Sequence, residues 1–169
     1  MNRNVEPNDM RWSKLKQLVE IRFADGLRGR VELWHTRYRG SHDAYEGRAW
    51  ITVDGNQIVE FASLPFHVAE IEEAVRREQI GSSKPANETR EDLIYSGTFG
   101  QFEFVQAIEE FLRLSIDQAL VSKMPLVRAL AVLDGRTGQR RLRKLRPDAE
   151  KLDWLRLLVE LRLNASKGA

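Results

Sequence analysis

The fold is decided by the stretch GRAWITVDGNQIVEFAS, residues 47–63. Two runs rich in β-branched and aromatic residues flank the step Asp54-Gly55, and an Asp-Gly pair in this position is typical of a two-residue β-hairpin turn. The preceding run RGRVELWHTRYRG, residues 28–40, has the same strand-like composition. The sequence therefore predicts a three-stranded antiparallel β-meander. Helices must cover it, because so small a sheet is only marginally stable alone.

Helical patterns flank the predicted meander on both sides. Before it, apolar residues recur at helical spacing from Trp12 to Phe23. After it, four or so segments are expected to form helices that pack on the sheet. One covers SLPFHVAEIEEAVRREQIG at residues 63–81, and another runs from Thr98 to about Val121.

The segment between these two helices, residues 81–97, is rich in Ser, Lys, Pro, Asn, Glu and Thr. Such a composition predicts a long surface loop, in which DLIYS, residues 92–96, is the candidate for a short ordered piece. The chain has 169 residues, a length that fits one domain. We therefore predict a single α+β domain over residues 1–169: an N-terminal helix, the meander, and then the helices.

The composition excludes several classes of protein. The chain has no cysteine, which rules out disulfides, thiolate metal sites and a cysteine nucleophile. The N-terminus lacks the apolar core of a signal peptide, and charged residues interrupt the apolar stretches, so no membrane span is expected. A cytoplasmic protein without a membrane partner is the simplest interpretation.

Charge is distributed unevenly along the chain. The formal net charge is +2, but residues 1–60 carry +1, residues 61–120 carry −6 and residues 121–169 carry +7. An acidic middle beside a basic end indicates either that the two parts neutralise each other in the fold or that each faces a partner.

The basic end is concentrated in LDGRTGQRRLRKLRP, residues 133–147. Its six cationic side chains are Arg136, Arg140, Arg141, Arg143, Lys144 and Arg146. Such side chains hold phosphates, and the two glycines would let the backbone approach an anion closely. Alternatively, Leu142 and Leu145 point to the core and leave the cations as a solvated surface.

The acidic side chains cluster on the helix predicted at 63–81 and on the segment that follows it. Glu70, Glu73 and Glu78 are the candidate residues for a partner-binding surface. Small bacterial proteins that neutralise basic, nucleic-acid-cleaving toxins often present such a surface, because complementary charge speeds association. The simpler interpretation is a solvated helix face.

The run WHTRYRGSH, residues 34–42, interleaves aromatic and basic residues. Nucleic-acid-binding sheets need both kinds on the same exposed face. Strand alternation separates them: one face has Trp34, Thr36 and Tyr38, and the other has His35, Arg37 and Arg39. This separation favours an aromatic row that faces the core over a stacking platform.

No pattern predicts catalytic residues, a metal site or a cofactor. His67 and Glu70 are three residues apart on a helix, a spacing that offers two ligands, whereas a metal site needs three or four. An enzyme would require His35, His42 or His67 to converge with carboxylates.

Three runs carry a resemblance to a known family: a W-S-K-L-K opening at Trp12, the R-A-W-I-T-x-D-G hairpin at Arg48, and an L-D-x-R-x-G-x-R-x-L segment at Leu133. Together they resemble a family of uncharacterised bacterial proteins with no established activity. The resemblance implies a bacterial, cytoplasmic setting and no particular mechanism.

We therefore expect a non-enzymatic cytoplasmic binding protein, immunity-like or regulatory, that engages a protein partner through charged surfaces. The alternative is a nucleic-acid-binding protein that uses residues 136–146 without sequence specificity. An enzyme of unknown type is the third interpretation. The sequence predicts no oligomeric state.

Overall fold

The structure is a computed structural model that describes residues 11–37, 47–81 and 85–166. Helices and three strands make up most of this part of the chain. The strands are β1 (Val31–Arg37), β2 (Gly47–Val53) and β3 (Asn56–Ala62). The helices are α1 (Trp12–Glu20), α2 (Ser63–Gln79), α3 (Ala86–Tyr95), α4 (Gln101–Arg113), α5 (Ile116–Leu120), α6 (Pro125–Leu133), α7 (Gln139–Leu142) and α8 (Asp153–Ala165), with 3-10 turns at Asp25–Leu27 and Pro147–Ala149.

The three strands form the predicted antiparallel meander in the order β1-β2-β3. Asp54 and Gly55 connect β2 to β3 with positive φ angles of 49° and 80°. A hairpin turn of this hand matches the twist of the two strands, and Asp-Gly adopts it at low cost. The sequence prediction of an α+β fold with an N-terminal helix, a meander and following helices is confirmed.

One face of the sheet supplies part of the core. Val31, Leu33, Ala49, Ile51 and Phe61 are buried on this face. The Phe61 ring stacks on Phe99 at a centroid distance of 4.2 Å and meets Trp154 of α8 edge-on at 5.6 Å. Aromatic pairs in these arrangements add to the stabilisation that their burial gives. The rings thereby join the sheet to the helices.

The centre of the helical layer is α6. Eight of its nine residues are buried, and it packs against α4, α5 and α8. Pro125 occupies its first turn, where a missing backbone N–H costs nothing. A helix that is apolar all round must be enclosed by others, so α6 fixes where the remaining helices lie.

The helices after the sheet are more numerous than predicted. Residues 81–97 do not form one long loop, because α3 occupies Ala86–Tyr95. The helix predicted from Thr98 to about Val121 is interrupted: Leu114 is extended, and the side chain of Ser115 caps α5 by accepting from the Gln118 N–H. The polar composition of α3 gives little helical periodicity in the sequence. The apolar pattern from residue 98 to 121 is continuous, so it gives no sign of the break at Leu114.

Candidate functional site

The candidate acidic residues of α2 are largely engaged within the protein. Glu73 accepts hydrogen bonds from Arg76 Nη2 at 2.6 Å and Arg77 Nε at 2.7 Å. The hydrogen bond from Arg76, followed by that from Arg77, lowers the pKa of Glu73 to about 2. Arg77 also pairs with Asp92 of α3 at 2.8 Å. Glu73 is therefore already bound by two cations of its own helix.

Glu70 is engaged in a second network, centred on Arg90 of α3. The Arg90 guanidinium donates to Glu70 and to Glu103 and lies 4.8 Å from the centre of the Phe66 ring. Glu103, which is buried, also accepts from the Gly100 N–H at 3.0 Å. Of the three predicted partner-binding residues, only Glu78 is exposed and makes no ion pair with the described residues.

These contacts place charged side chains on the inward face of α2. Phe66 is buried, and Glu70, Glu73 and Arg77 are partly buried with it between α2 and α3. Their 4-3-4 spacing is that of one side of a helix. Phe66 is the one apolar residue of α2 that is fully buried.

The opposite face of α2 is apolar and exposed. Four residues with the same 4-3-4 spacing, displaced by two positions, form what we term the apolar stripe: Leu64, Val68, Ile71 and Val75. Their exposed fractions are 56%, 43%, 52% and 47%. A displacement of two residues turns about 200° around a helix, so the stripe points away from α3. The amphipathic pattern of α2 is thus inverted relative to that of a surface helix packed on a core.

Sequence reasoning missed the apolar stripe although its spacing is visible in the sequence. An apolar 4-3-4 repeat normally predicts the side of a helix that faces the core. Here the charged residues Glu70, Glu73 and Arg77 find partners inside the protein, and the apolar residues of the stripe stay about half exposed. Only the positions of α3 and Arg90 reveal which side is covered.

The basic segment, residues 136–146, divides into paired and unpaired cations. Arg136 forms a bidentate ion pair with the buried Asp134, with distances of 2.7–3.1 Å. Arg141 forms another with Asp117, both hydrogen bonds being 2.7 Å long. That hydrogen bond from Arg141 holds the pKa of Asp117 below its ordinary value. Acidic and basic parts of the chain therefore neutralise each other at these two positions.

The other four cations of the segment are exposed: Arg140, Arg143, Lys144 and Arg146. Across the ranges that the structure describes, no carboxylate lies within 4.0 Å of them. Leu142 is buried and Leu145 packs against the core, as the solvated-surface interpretation predicted. The segment is a single helical turn, α7, with flanking turns.

Trp34, the aromatic residue of the predicted row that the structure describes, lies on the outer face of the sheet, so its predicted orientation toward the core is wrong; Tyr38 lies outside the described residues. Trp34 is 38% exposed, whereas Leu33 is buried. The Trp34 ring stacks on Trp50 at 6.0 Å, Lys16 lies 4.0 Å from the Trp34 ring centre, and Arg48 lies 4.7 Å from that of Trp50. The cations of this protein cover the rings, which does not favour a nucleobase platform.

The two histidines that the structure describes do not converge. His35 packs its ring on Trp12 at 5.1 Å, His67 lies 3.9 Å from a Glu70 oxygen, and His42 lies outside the described residues. In the described ranges no group of three or more His, Asp or Glu side chains could hold a metal ion. Within the same ranges, no helix is both long and apolar enough to cross a bilayer.

Fold and surface together define an α+β protein with an outward apolar helix face, an acidic helix pair and a basic C-terminal segment. The chain belongs to the SF0329 protein family, which it matches over residues 11–163. Searches of curated proteins and of solved structures give no match. The resemblance to an uncharacterised family is confirmed as membership of this one, while the bacterial origin stays a prediction.

Proposed function

We propose that the chain is a non-enzymatic binding protein of the bacterial cytoplasm, and that it docks another protein on the apolar stripe of α2. The observation that carries this proposal is the inversion of α2, whose apolar side faces outward while its charged side faces inward. Contiguous apolar surface is costly to expose to water, and on a folded protein it marks an interaction site.

A heptad-like stripe favours a helical docking segment. Apolar residues spaced 4-3-4 form a narrow seam into which the apolar side chains of a second helix can pack. Amphipathic helices are recognised in this way through anchors at i, i+3 or i+4, and i+7. Leu64, Val68, Ile71 and Val75 supply four such contact positions.

Charge favours a basic partner over a second copy of this chain. The helices α2 and α3 contain seven Asp and Glu residues and three Arg. Glu72 and Glu78 are exposed beside the stripe and form no ion pair with a described residue. A second copy would bring the same acidic margin, whereas a helix flanked by Lys and Arg would complement it. An immunity-like role is one form of this proposal, with a basic toxin as partner.

The proposal is tested by photo-crosslinking in cells that naturally express the chain. A photoreactive side chain replaces Ile71 in one variant and the exposed Asn164 of α8 in a matched control. We expect a discrete crosslinked product with a second protein at position 71 and none at position 164. The product should disappear when Val68→Asp and Val75→Asp are added, because a buried unpaired carboxylate opposes docking.

Reversing the charge of two glutamates beside the stripe distinguishes a specific basic partner from non-specific binding to an apolar surface. Glu72→Lys with Glu78→Lys leaves the stripe intact and should weaken the product at position 71 at least several-fold, since both changes repel a basic partner. Equal crosslinking at positions 71 and 164, or a product made of two copies of this chain, would overturn the proposal. All four substituted side chains are exposed, so thermal unfolding should confirm an unchanged fold.

A second candidate function is binding of nucleic acid without sequence specificity. It is favoured by the four exposed cations of the basic segment that form no ion pair with a described residue. We expect fluorescence anisotropy to show that the protein binds mixed-sequence RNA or DNA with an affinity that falls as salt rises. On duplex DNA, a plot of log binding constant against log salt concentration should fall with a slope of about 0.9 per phosphate contact. Arg140→Gln, Arg143→Gln and Lys144→Gln together should reduce that slope by the contribution of about three phosphate contacts. Arg76→Gln is the control, and absence of binding at low salt excludes this function.

A further inference from the structure

A cleft lies beside the turn that follows α1 and the turn that follows α6. It has a volume of about 450 Å³, within the range of small-molecule sites. Its walls come from the 3-10 turn at Asp25–Leu27, the turn before α7 and the end of α8. The polar side chains that line it are Asp25, Arg28, Gln139, Arg162 and Ser166.

Arg162 is the most deeply placed polar residue of this cleft, with only 8% of its surface exposed. Its Nη2 donates to the Thr137 carbonyl at 3.1 Å and its Nη1 to Ser166 Oγ at 2.8 Å. Its Nε is buried and has no hydrogen-bond partner among the residues that the structure describes. The two bonds use two of the five N–H donors of a guanidinium.

The charge of Arg162 is not matched by a carboxylate in the described part of the chain, where none lies within 4.0 Å of it. The nearby buried carboxylate, Asp134, is bound on both oxygens by Arg136. Burial lowers the pKa of Arg162, and burial together with the charge of Arg136 lowers that of Arg22. Arginines are almost never buried without a paired anion, because removing the charge from water is costly.

Two charged residues at the mouth of the cleft form an exposed ion pair that an entering anion can break. Arg28 pairs with Asp25 at 2.7 Å, and the Asp25 side chain is almost fully exposed. An anion that enters can therefore compete with Asp25 for Arg28. Gln139, at the first position of α7, contributes a neutral amide that can donate to the same ligand.

From this arrangement we propose that the cleft binds a small molecule through an oxyanion group, phosphate or carboxylate, held by Arg162 with Arg28 and Gln139. The planar fork of a guanidinium donates two parallel hydrogen bonds to either group. This site is separate from the apolar stripe of α2 and does not depend on the docking function proposed above.

The test is a titration of the full chain with inorganic phosphate, and in parallel with acetate, at ionic strength held constant with chloride. Backbone amide resonances of Gly26, Gly135 and Ser166 report binding in the cleft by NMR. We expect at least one of the two anions to shift them saturably, which also identifies the preferred oxyanion. Arg156→Gln, which removes a half-exposed arginine of the same helix, should bind like the wild type.

Two variants keep Arg162 and so preserve its structural contacts. Gln139→Glu places a carboxylate in the cleft and should weaken binding about tenfold or more, an effect equivalent to one close like-charge contact. Asp25→Asn releases Arg28 and should tighten binding several-fold. Arg162→Gln should abolish binding in whatever fraction remains folded.

Three outcomes would overturn the site. The first is no saturable shift with either anion beyond that of chloride. The second is binding that is equal in the wild type, Gln139→Glu and Asp25→Asn. The third is binding that is lost on Arg143→Gln with Lys144→Gln but kept in Gln139→Glu, which would assign the anion to the basic segment instead.

Discussion

The helices α2 and α6 are both rich in apolar residues, yet they occupy opposite environments. The core-forming α6 buries eight of its nine residues, and its Arg128 reaches outward to Glu150. In contrast, α2 buries Phe66, turns Glu70 and Glu73 inward, and exposes four aliphatic side chains. One helix is enclosed by α4, α5 and α8, while the other contacts α3, β2 and β3 and keeps its apolar stripe exposed.

Apolar content therefore does not decide which side of a helix is covered. Charged residues can face inward when each finds a partner of opposite sign, as Glu73 finds Arg76 and Arg77, and Arg90 finds Glu70 and Glu103. The apolar side of α2 then remains outside. Such a side gains stability only when another molecule covers it.

The largest expected effect is on the unfolding free energy. Leu130→Ala in α6 should lower it by about 2–5 kcal/mol, because the substitution leaves a cavity in a close-packed core. Ile71→Ala in α2 should change it by less than about 0.5 kcal/mol, since Ile71 is half exposed. Chemical denaturation of both variants measures the contrast. Comparable losses would mean that the apolar stripe is already covered, and the comparison between the two helices would fail.

A smaller loss of unfolding free energy is expected when the polar contacts on the inward face of α2 are removed. Glu103→Ala removes one partner of Arg90 and leaves the Gly100 N–H without its acceptor, so it should cost about 1–3 kcal/mol. Glu110→Ala, an exposed change on the same helix, is the control and should be nearly neutral. If the two variants unfold at the same denaturant concentration, the inward network contributes nothing to stability.

The smallest expected effect is on the pH dependence of stability, and it comes from a residue of α2 and not of α6. The pKa of Glu73 is lowered from 4.5 to about 2, so its ion pairs stabilise the fold fully above about pH 4.5. That contribution is lost as the pH falls through about 2. The gap in melting temperature between the wild type and Glu73→Gln should therefore close over this interval. The exposed Glu72→Gln is the control, and a gap that stays constant to pH 2 contradicts the expectation.

Much of the fold could be predicted because its signals are local. The Asp54-Gly55 turn joins two strand-like runs, and a turn of that type leaves the strands little choice but to pair. For the basic segment, the solvated-surface alternative places Leu142 and Leu145 toward the core, and both pack there. The helix α3 was missed because a polar sequence gives little helical periodicity, and its position depends on Arg90 and Asp92 meeting residues of α2.

The candidate surfaces could be predicted less well, since ion pairing joins residues far apart in the chain. Arg141 meets Asp117 across 24 positions, and Arg90 meets Glu70 across 20. Sequence showed that acidic and basic segments exist, and it left open whether they neutralise each other. The structure pairs some of each and leaves Glu78 and four cations of the basic segment exposed.

Residues close together in the sequence are enough to specify the elements: a meander set by an Asp-Gly turn, helices set by the spacing of apolar residues, and an unequal distribution of charge. These follow from backbone geometry and from the period of apolar residues, which act over a few positions. The packed fold sets three further properties: the side of α2 that faces water, the cations that are paired, and the burial of Arg162 beside a cleft. Those properties depend on contacts between distant residues, and burial turns the same side chains into either internal partners or exposed surfaces.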